Sequence, residues 1–312
     1  METNQPLVSV NVLMYNSSKY ILETLESIKA QTYQNIELIM SDDKSTDNTV
    51  QICKKWIAKN KDRFASYQIL VPDHNTGQSG NYNRAFRAAT GEWIKEIDGD
   101  DLLLPNCLTD LMGFVYANPE AKYVFGKANY FPKKNRNYDT ELPFDNSFFS
   151  KPANEQLEQL LFKDDFICSA CSFYNRQHML DIDFSCDERI PNIEDRPKWI
   201  SLLRKNVHFY FLDKEIVSYR LFSGISTQKH PSLLFYKNRA LFRRFYEYPA
   251  LLEKGDDVFK HIAEQEIQIY SELCELDRIL NKILSLPPFN IYCKIRNFLK
   301  NLFCSISFFN TI

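Results

Sequence analysis

The chain predicts an α/β fold built on a mostly parallel, doubly wound sheet. Three observations carry that prediction: buried-strand runs alternate with helical spacings over the first 130 residues, acidic clusters follow the second and fourth runs, and turn residues mark the boundaries. Residues 8–14 read as a strand buried on both faces. Residues 19–31 place Tyr20, Ile21, Leu25 and Ile28 at helical spacing. Residues 36–40 form a second buried strand ending in Ser41-Asp42-Asp43-Lys44-Ser45-Thr46, where Ser45 or Thr46 is expected to cap a helix running to about Asn60. A third strand, 67–71, is closed by Pro72. The loop 73–80 then feeds a helix over 81–89, with Gly91 expected as its C-terminal cap. A fourth strand, 92–97, runs into Asp98-Gly99-Asp100-Asp101, and Pro105 opens a further helix.

Beyond this, 131–152 is polar with three prolines and reads as a connection. Residues 169–174 are expected as a strand, 194–204 as a helix, 207–212 and 215–219 as a pair of short strands, and 231–284 as mostly helical. The division that follows is a domain over 1–230, with halves 1–130 and 131–230, and a helical extension over 231–312.

Composition excludes several classes. The 312 residues carry 38 Lys+Arg against 40 Asp+Glu, a formal charge of −2, so no basic face is available to neutralise a nucleic-acid backbone. Eight cysteines are scattered rather than paired in a dense framework, and reduced thiols are the simpler reading. The N-terminus carries Glu2 and its apolar run is broken by Ser9 and Asn11, unlike a signal peptide. No run reaches the roughly 18 apolar residues of a spanning helix. The expected location is the cytoplasm, or the inner face of the cytoplasmic membrane.

In open parallel sheets ligands bind outside the carboxyl ends of the strands, where both acidic clusters fall. Three carboxylates within four residues, Asp98, Asp100 and Asp101, repel one another and need an offsetting partner. Hard oxygen ligands without paired His or Cys favour Mg²⁺ or Mn²⁺, ions that bind through one or two carboxylates plus substrate phosphates. Such an ion on a diphosphate stabilises the charge that builds on that leaving group. The alternative is a solvated acidic turn before a helix N-terminus, and D-x-D spacing alone favours that alternative. No G-x-G-x-x-G follows the first strand and no P-loop occurs. Cys168-Ser169-Ala170-Cys171 is a lone C-x-x-C without a second pair at zinc spacing.

The run VSVNVLMYNSSKYILETLESIKAQTYQNIELIMSDDKSTDNT, followed by NTGQSGNYNRAFRAATGEWIKEIDGDDLLLP, resembles the nucleotide-sugar-binding half of family 2 glycosyltransferases of the GT-A fold. The resemblance continues more loosely through CSACSFYNRQHMLDIDFSCDERIPNIEDRPKWISLLRKN and Tyr219-Arg220. It implies a Rossmann-like sheet and an inverting transfer of a sugar from a nucleotide-diphosphate donor, most simply a UDP-sugar, to a glycan or lipid-linked acceptor, with Mg²⁺ or Mn²⁺ as cofactor. Residue by residue it implies Asp43 on the nucleotide base, Asn75, Gly77 and Asn83 along the nucleotide side, Asp98 toward the ribose, Asp100 (with Asp98) on the metal, Asp195 as general base with Glu194 as fallback, and Arg220 beside the donor. Asp101 is implied only as a support of the turn. A carboxylate within reach of the acceptor hydroxyl is a competent base. The chain departs from the family pattern at Leu13 and Met14, at Tyr82 where many members carry Arg, and at Phe222 where many carry a metal-assisting His; His230 lies nearby but out of pattern. A catalytically silent nucleotide-sugar or glycan-binding module of the same fold is the alternative.

At the C-terminus, Ile291, Tyr292, Ile295, Phe298, Leu299, Leu302, Phe303 and Ile306 make a helical stripe, and 290–312 contains Lys294, Arg296 and Lys300 but no acid. Such a segment suits a membrane interface, as a peripheral contact, or docking on the protein's own core.

Overall fold

A computed structural model of the protein describes residues 5–131, 146–162, 167–221, 233–253, 267–276 and 278. The segment 290–312, Phe222 and His230 lie outside the described residues.

The elements run β1 (Val8–Met14), α1 (Ile21–Lys29), β2 (Ile36–Asp42), α2 (Thr49–Asn60), β3 (Ser66–Leu70), α3 (Gly77–Ala88), β4 (Trp93–Asp98), β5 (Leu102–Leu103), α4 (Cys107–Ala117), β6 (Tyr123–Phe131), α5 (Ala153–Phe162), β7 (Ser172–Asn175), α6 (Arg176–Asp181), α7 (Asp195–Arg204) and β8 (Phe209–Arg220). Beyond β8, α8 (Leu233–Phe242) and α9 (Tyr248–Glu253) are joined by a π-helical turn over Arg243–Glu247. The eight strands form one sheet in the order β3-β2-β1-β4-β7-β6-β8-β5. Pairing is parallel for β3-β2, β2-β1, β1-β4 and β6-β8, and antiparallel where β7 and β5 enter.

Strand alternation separates two cores. Val8, Val10, Val12 and Met14 of β1 face one cluster, which α1 closes with Ile21, Leu25 and Ile28, spaced i, i+4 and i+7. On the opposite face lie the polar Ser9 and Asn11 of β1 and Glu96 of β4, beneath α3 and the second cluster. Within that second cluster Phe125, Trp199, Phe209, Phe242 and Tyr246 gather α7, β6, β8 and the C-terminal helices. Because β4 returns beside β1 on the side away from β2, strand order reverses there. Leu13 pairs with Asp98 at the carboxyl end of that switch.

Several boundaries differ from expectation, each for a local reason. Neither Ser45 nor Thr46 caps α2; Asp47 does the work, accepting the Thr49 N–H and hydroxyl through Oδ1. Helix α3 starts four residues earlier than expected because Asp43 ties down its N-terminus. Gly91 is no left-handed cap, since Gly77 alone among the described glycines has positive φ. It is required instead by close approach: an added Cβ would lie 2.6 Å from Ser9 N and 2.8 Å from Leu7 O. The two short strands expected over 207–219 are one strand, β8, with the mismatch absorbed by register shifts on β6 around Lys127. Cys53, Cys107, Cys168, Cys171, Cys186 and Cys274 are all free thiols.

Candidate active site

The two acidic clusters stand at the ends of β2 and β4, the strands on either side of β1, with opposite hydrogen-bonding states. At the end of β2, Asp42 accepts the Ser45 N–H (2.8 Å) and hydroxyl (2.5 Å). Asp43 is 3% exposed and accepts the Thr76 N–H (2.8 Å) and hydroxyl (2.6 Å) through Oδ1 and the Gly77 N–H (2.7 Å) through Oδ2. Arg84, overlooked in the sequence, lies 3.5 Å from Asp43 and also donates to Thr76 and Asn81. Asn75 donates to the Asp43 carbonyl. These contacts make Asp43 the anchor of the 75–77 turn that launches α3.

Gly77 and Asn83 extend that anchor into the second half of the chain. Gly77 has φ +78°, and a Cβ there would meet Pro191 O at 2.5 Å, so both backbone and space demand glycine. Ser79 donates its N–H to Pro191 O and its hydroxyl to Ile190 O. Asn83 is buried, with its amide given wholly to the 186–188 segment: Nδ2 donates to Cys186 O and Glu188 Oε1, and Oδ1 accepts the Cys186 N–H. Its side chain therefore cross-links two segments of protein.

At the end of β4 the situation reverses. Asp98, Asp100 and Asp101 bring carboxylate oxygens within 4.8 Å of one another. Asp98 and Asp100 make no side-chain hydrogen bonds among the described residues. Asp101 is 1% exposed; its Oδ1 accepts the Arg220 N–H (2.7 Å) but its Oδ2 is buried without a partner. The turn is clamped from both sides. Gly99 N–H donates to Leu13 O, and Arg220 Nε donates to Asp100 O while its guanidinium reaches Glu23 and stacks over Tyr20 and Phe131. Arg220 thus braces the loop rather than projecting alone. Without a cation, burial and the charges of Asp100, Asp101 and Glu96 push the Asp98 carboxyl far above its usual range, against the opposing pull of Lys198. Burial and Asp100 raise Asp101 to about 8. An orphaned buried oxygen beside two free carboxylates is a donor set that fits a hard divalent ion, held by Asp98 and Asp100 with Asp101 alongside.

Glu194 and Asp195 enter the same region from α7. Glu194 lines a small cleft together with Asp98, Leu13, Tyr82, Ser169 and Lys198. Gln78, in the orientation its neighbours select, donates to Glu194 Oε2 at 3.2 Å. Burial, then the Asp195 charge, raises the Glu194 carboxyl to about 8, with Lys198 pulling the other way. Asp195 occupies the first position of α7 and accepts the Arg196 N–H. The chain thus brings Asp98, Asp100, Glu194 and Arg220 to one place, with Asp195 beside Glu194. Asp43, Asn75, Gly77 and Asn83 form the adjoining buttress. Tyr82 is buried, with the Lys198 ammonium 4.4 Å over its ring.

Helix α8 and the π-helical turn that follows it hold the 187–192 segment from outside. Asn238 Oδ1 accepts the Asn192 N–H, and Tyr246 OH donates to Asp187.

Comparison with known proteins agrees with this architecture. Residues 9–182 match the model of glycosyl transferase family 2. Over 133 residues the chain is 36% identical to glycosyltransferase GlyG of Streptococcus pneumoniae, covering 43% of this chain and 40% of that one. The chain likewise spans only 38% of the putative glycosyltransferase EpsE of Bacillus subtilis. A longer match, 27% identical and covering 74% of this chain and 84% of the relative, is to WfaP of Escherichia coli, named a UDP-Glc:α-D-GlcNAc-diphosphoundecaprenol β-1,3-glucosyltransferase. In fold, the chain is similar to S. aureus TarS 1–349 in complex with UDP-GlcNAc (TM-score 0.56, 20% identity, 84% of this chain and 71% of that). It is also similar to the mannosyltransferase PcManGT from Pyrobaculum calidifontis in complex with GDP-Man and Mn²⁺ (TM-score 0.54, 14% identity, 96% and 81%). The architecture is thus GT-A, and the chain belongs to glycosyl transferase family 2.

Proposed function

We propose that the protein transfers a sugar from a nucleotide-diphosphate donor, most simply a UDP-sugar, to a hydroxyl of a lipid-linked glycan, with inversion at the anomeric carbon. One observation carries the reading. Asp98, which belongs to the carboxylate cluster at the end of β4, shares a cleft with a second carboxylate, Glu194, at the head of α7, so a cation-binding corner faces an acid–base corner.

When bound, Mg²⁺ or Mn²⁺ would neutralise charge gathering on the departing diphosphate. The rest falls to the chain. Asp98 and Asp100 hold the donor end, and the Arg220 brace keeps their turn fixed. Asp195 takes the proton of the attacking hydroxyl. Glu194, its carboxyl raised by burial and by the Asp195 charge, orients the acceptor hydroxyl by hydrogen bonding. With one base and no nucleophile between donor and acceptor, a single displacement inverts the centre. WfaP and the Campylobacter jejuni relative are named for undecaprenol-linked acceptors, which supports a lipid-linked acceptor and work at the inner face of the cytoplasmic membrane. Among the described residues no helix is long and apolar enough to cross a membrane. The segment 290–312 would supply a peripheral contact.

A thermal-shift screen of UDP- and GDP-sugars with Mn²⁺, followed by nucleoside-diphosphate release, tests the reading. A donor that raises the melting temperature only with metal and is then turned over is the expected result; binding without turnover of any donor would make the protein a silent module. Asp195→Asn should lower turnover by about 10³-fold or more while leaving donor affinity unchanged, the mark of an interaction made in the transition state.

A further inference from the structure

The floor of the cleft holds an ion pair that the chemistry above does not use. Lys198 is 1% exposed and Glu96 4% exposed. Lys198 Nζ donates to Glu96 Oε2 at 2.9 Å and lies 3.4 Å from Ser169 Oγ. Glu96 is saturated by its other neighbours, since Oε1 accepts the Tyr174 hydroxyl (2.6 Å) and Oε2 the Ser172 hydroxyl (3.1 Å). The Tyr174 hydroxyl in turn meets that of Tyr82 at 2.8 Å. The network ties together α3, β4, β7 and α7.

Its position is what matters. Glu96 and Asp98 are two apart on β4 and project from the same face of the strand. Glu194 and Lys198 are four apart at the head of α7 and share a helix face. The Lys198–Glu96 contact therefore runs parallel to the gap between Asp98 and Glu194, one step deeper, and all four residues line the same cleft. A buried ion pair is poor evidence for a stability role, because apolar residues of equal volume commonly serve as well; what it gives is one specified arrangement. Here that arrangement is the rotation of α7 about its axis, which decides whether Glu194 and Asp195 face the aspartates.

We propose that Lys198 and Glu96 are positioning residues, a buried strut fixing the azimuth and depth of α7 against β4 so that the acid–base pair faces the cation-binding turn. The proposal rests on the glycosyltransferase reading for its effect on turnover but not for its effect on α7. Fixing a helix in this way changes how often the reacting groups are aligned, so it acts on kcat and spares donor binding.

The test compares Glu96→Gln/Lys198→Met, a neutral near-isosteric pair that keeps an acceptor for Tyr174, with Lys198→Met and Lys198→Arg. Three quantities are read: melting temperature, hydrogen exchange of the amides of residues 198–202, and nucleoside-diphosphate release from the donor found in the screen. The strut predicts a folded double variant melting within about 5 °C of the parent, α7 amides exchanging at least tenfold faster, and kcat at least tenfold lower with donor KM changed less than threefold. Lys198→Arg, which keeps the charge, should recover most of both. Parental exchange and kcat in the double variant would overturn the proposal. So would a double variant that does not fold, because the pair would then serve stability. A parent that turns over no nucleotide sugar would sink the glycosyltransferase reading instead, and the exchange data alone would still decide whether the strut exists.

Discussion

Two acidic strand ends lie on either side of β1, and they differ in how their carboxylates are satisfied. At the end of β2 the carboxylates of Asp42 and Asp43 are surrounded by donors from Ser45, Thr76, Gly77 and Arg84. At the end of β4, Asp98 and Asp100 lie close together with no side-chain donors among the described residues, and Asp101 keeps one oxygen orphaned. A carboxylate that accepts several N–H and O–H groups is electrostatically complete and serves as an internal joint. One crowded by like charges is incomplete, and the missing partner must come from outside. The comparison separates structure from chemistry where residue type alone does not, since both ends read as adjacent aspartates after a buried strand.

The sharpest break in that comparison comes from Asp100→Asn. Metal-dependent turnover should fall by about 10³-fold or more, the scale of losing a preorganised electrostatic contact. The melting temperature without metal should hold or rise as repulsion is relieved, while the Mn²⁺-induced rise seen in the parent should vanish. Asp43→Ala should do the opposite. It leaves the buried Thr76 and Gly77 donors unpaired, at about 1–3 kcal/mol each, so urea denaturation should show a loss of about 3 kcal/mol. Gly77→Ala should cost about 2–3 kcal/mol in the same measurement, from positive φ together with the clash against Pro191. The smallest effect concerns pH. An acid whose pKa is higher in the fold than in the unfolded chain binds more protons when folded, so stability is present at low pH and lost as pH rises between its ordinary 3.8 and about 8, the value for Asp101. The metal-free protein should therefore melt higher at pH 6 than at pH 8, and Mn²⁺ should flatten that slope by taking the carboxylates in their deprotonated form.

Much of this was legible in the sequence. Strand and helix alternation through β4 follows from hydrophobic period, and the D-x-D turn follows from its place after a buried strand. What stayed hidden depends on contacts between residues far apart in the chain, which periodicity does not encode. The hydrogen-bond partners of Asp43, Thr76 and Gly77, are more than 30 residues away. Asn83 meets Cys186 across a separation of 103 residues. Gly91 looked like a helix cap because it follows a helix, whereas the reason for it is the backbone of β1 pressed against it. Arg84 gave no motif signal, yet its spacing of three from Asn81 on a helix whose neighbours are small was the one available hint. Lys198 carries no signal of its own in the sequence, and only the facing Glu96, itself an anomaly in a buried strand, marks it as interior.

The clasp between α3 and the 186–191 segment bears on how such enzymes can be recombined. Gly77, Ser79 and Asn83 grip the backbone of Pro191, Ile190 and Cys186, so the stretch that precedes Glu194 and Asp195 is not a detachable module. A chimera that imports residues 186–196 from a relative inherits a mismatched socket unless it imports those three positions as well. The 186–191 segment is thus co-inherited with α3.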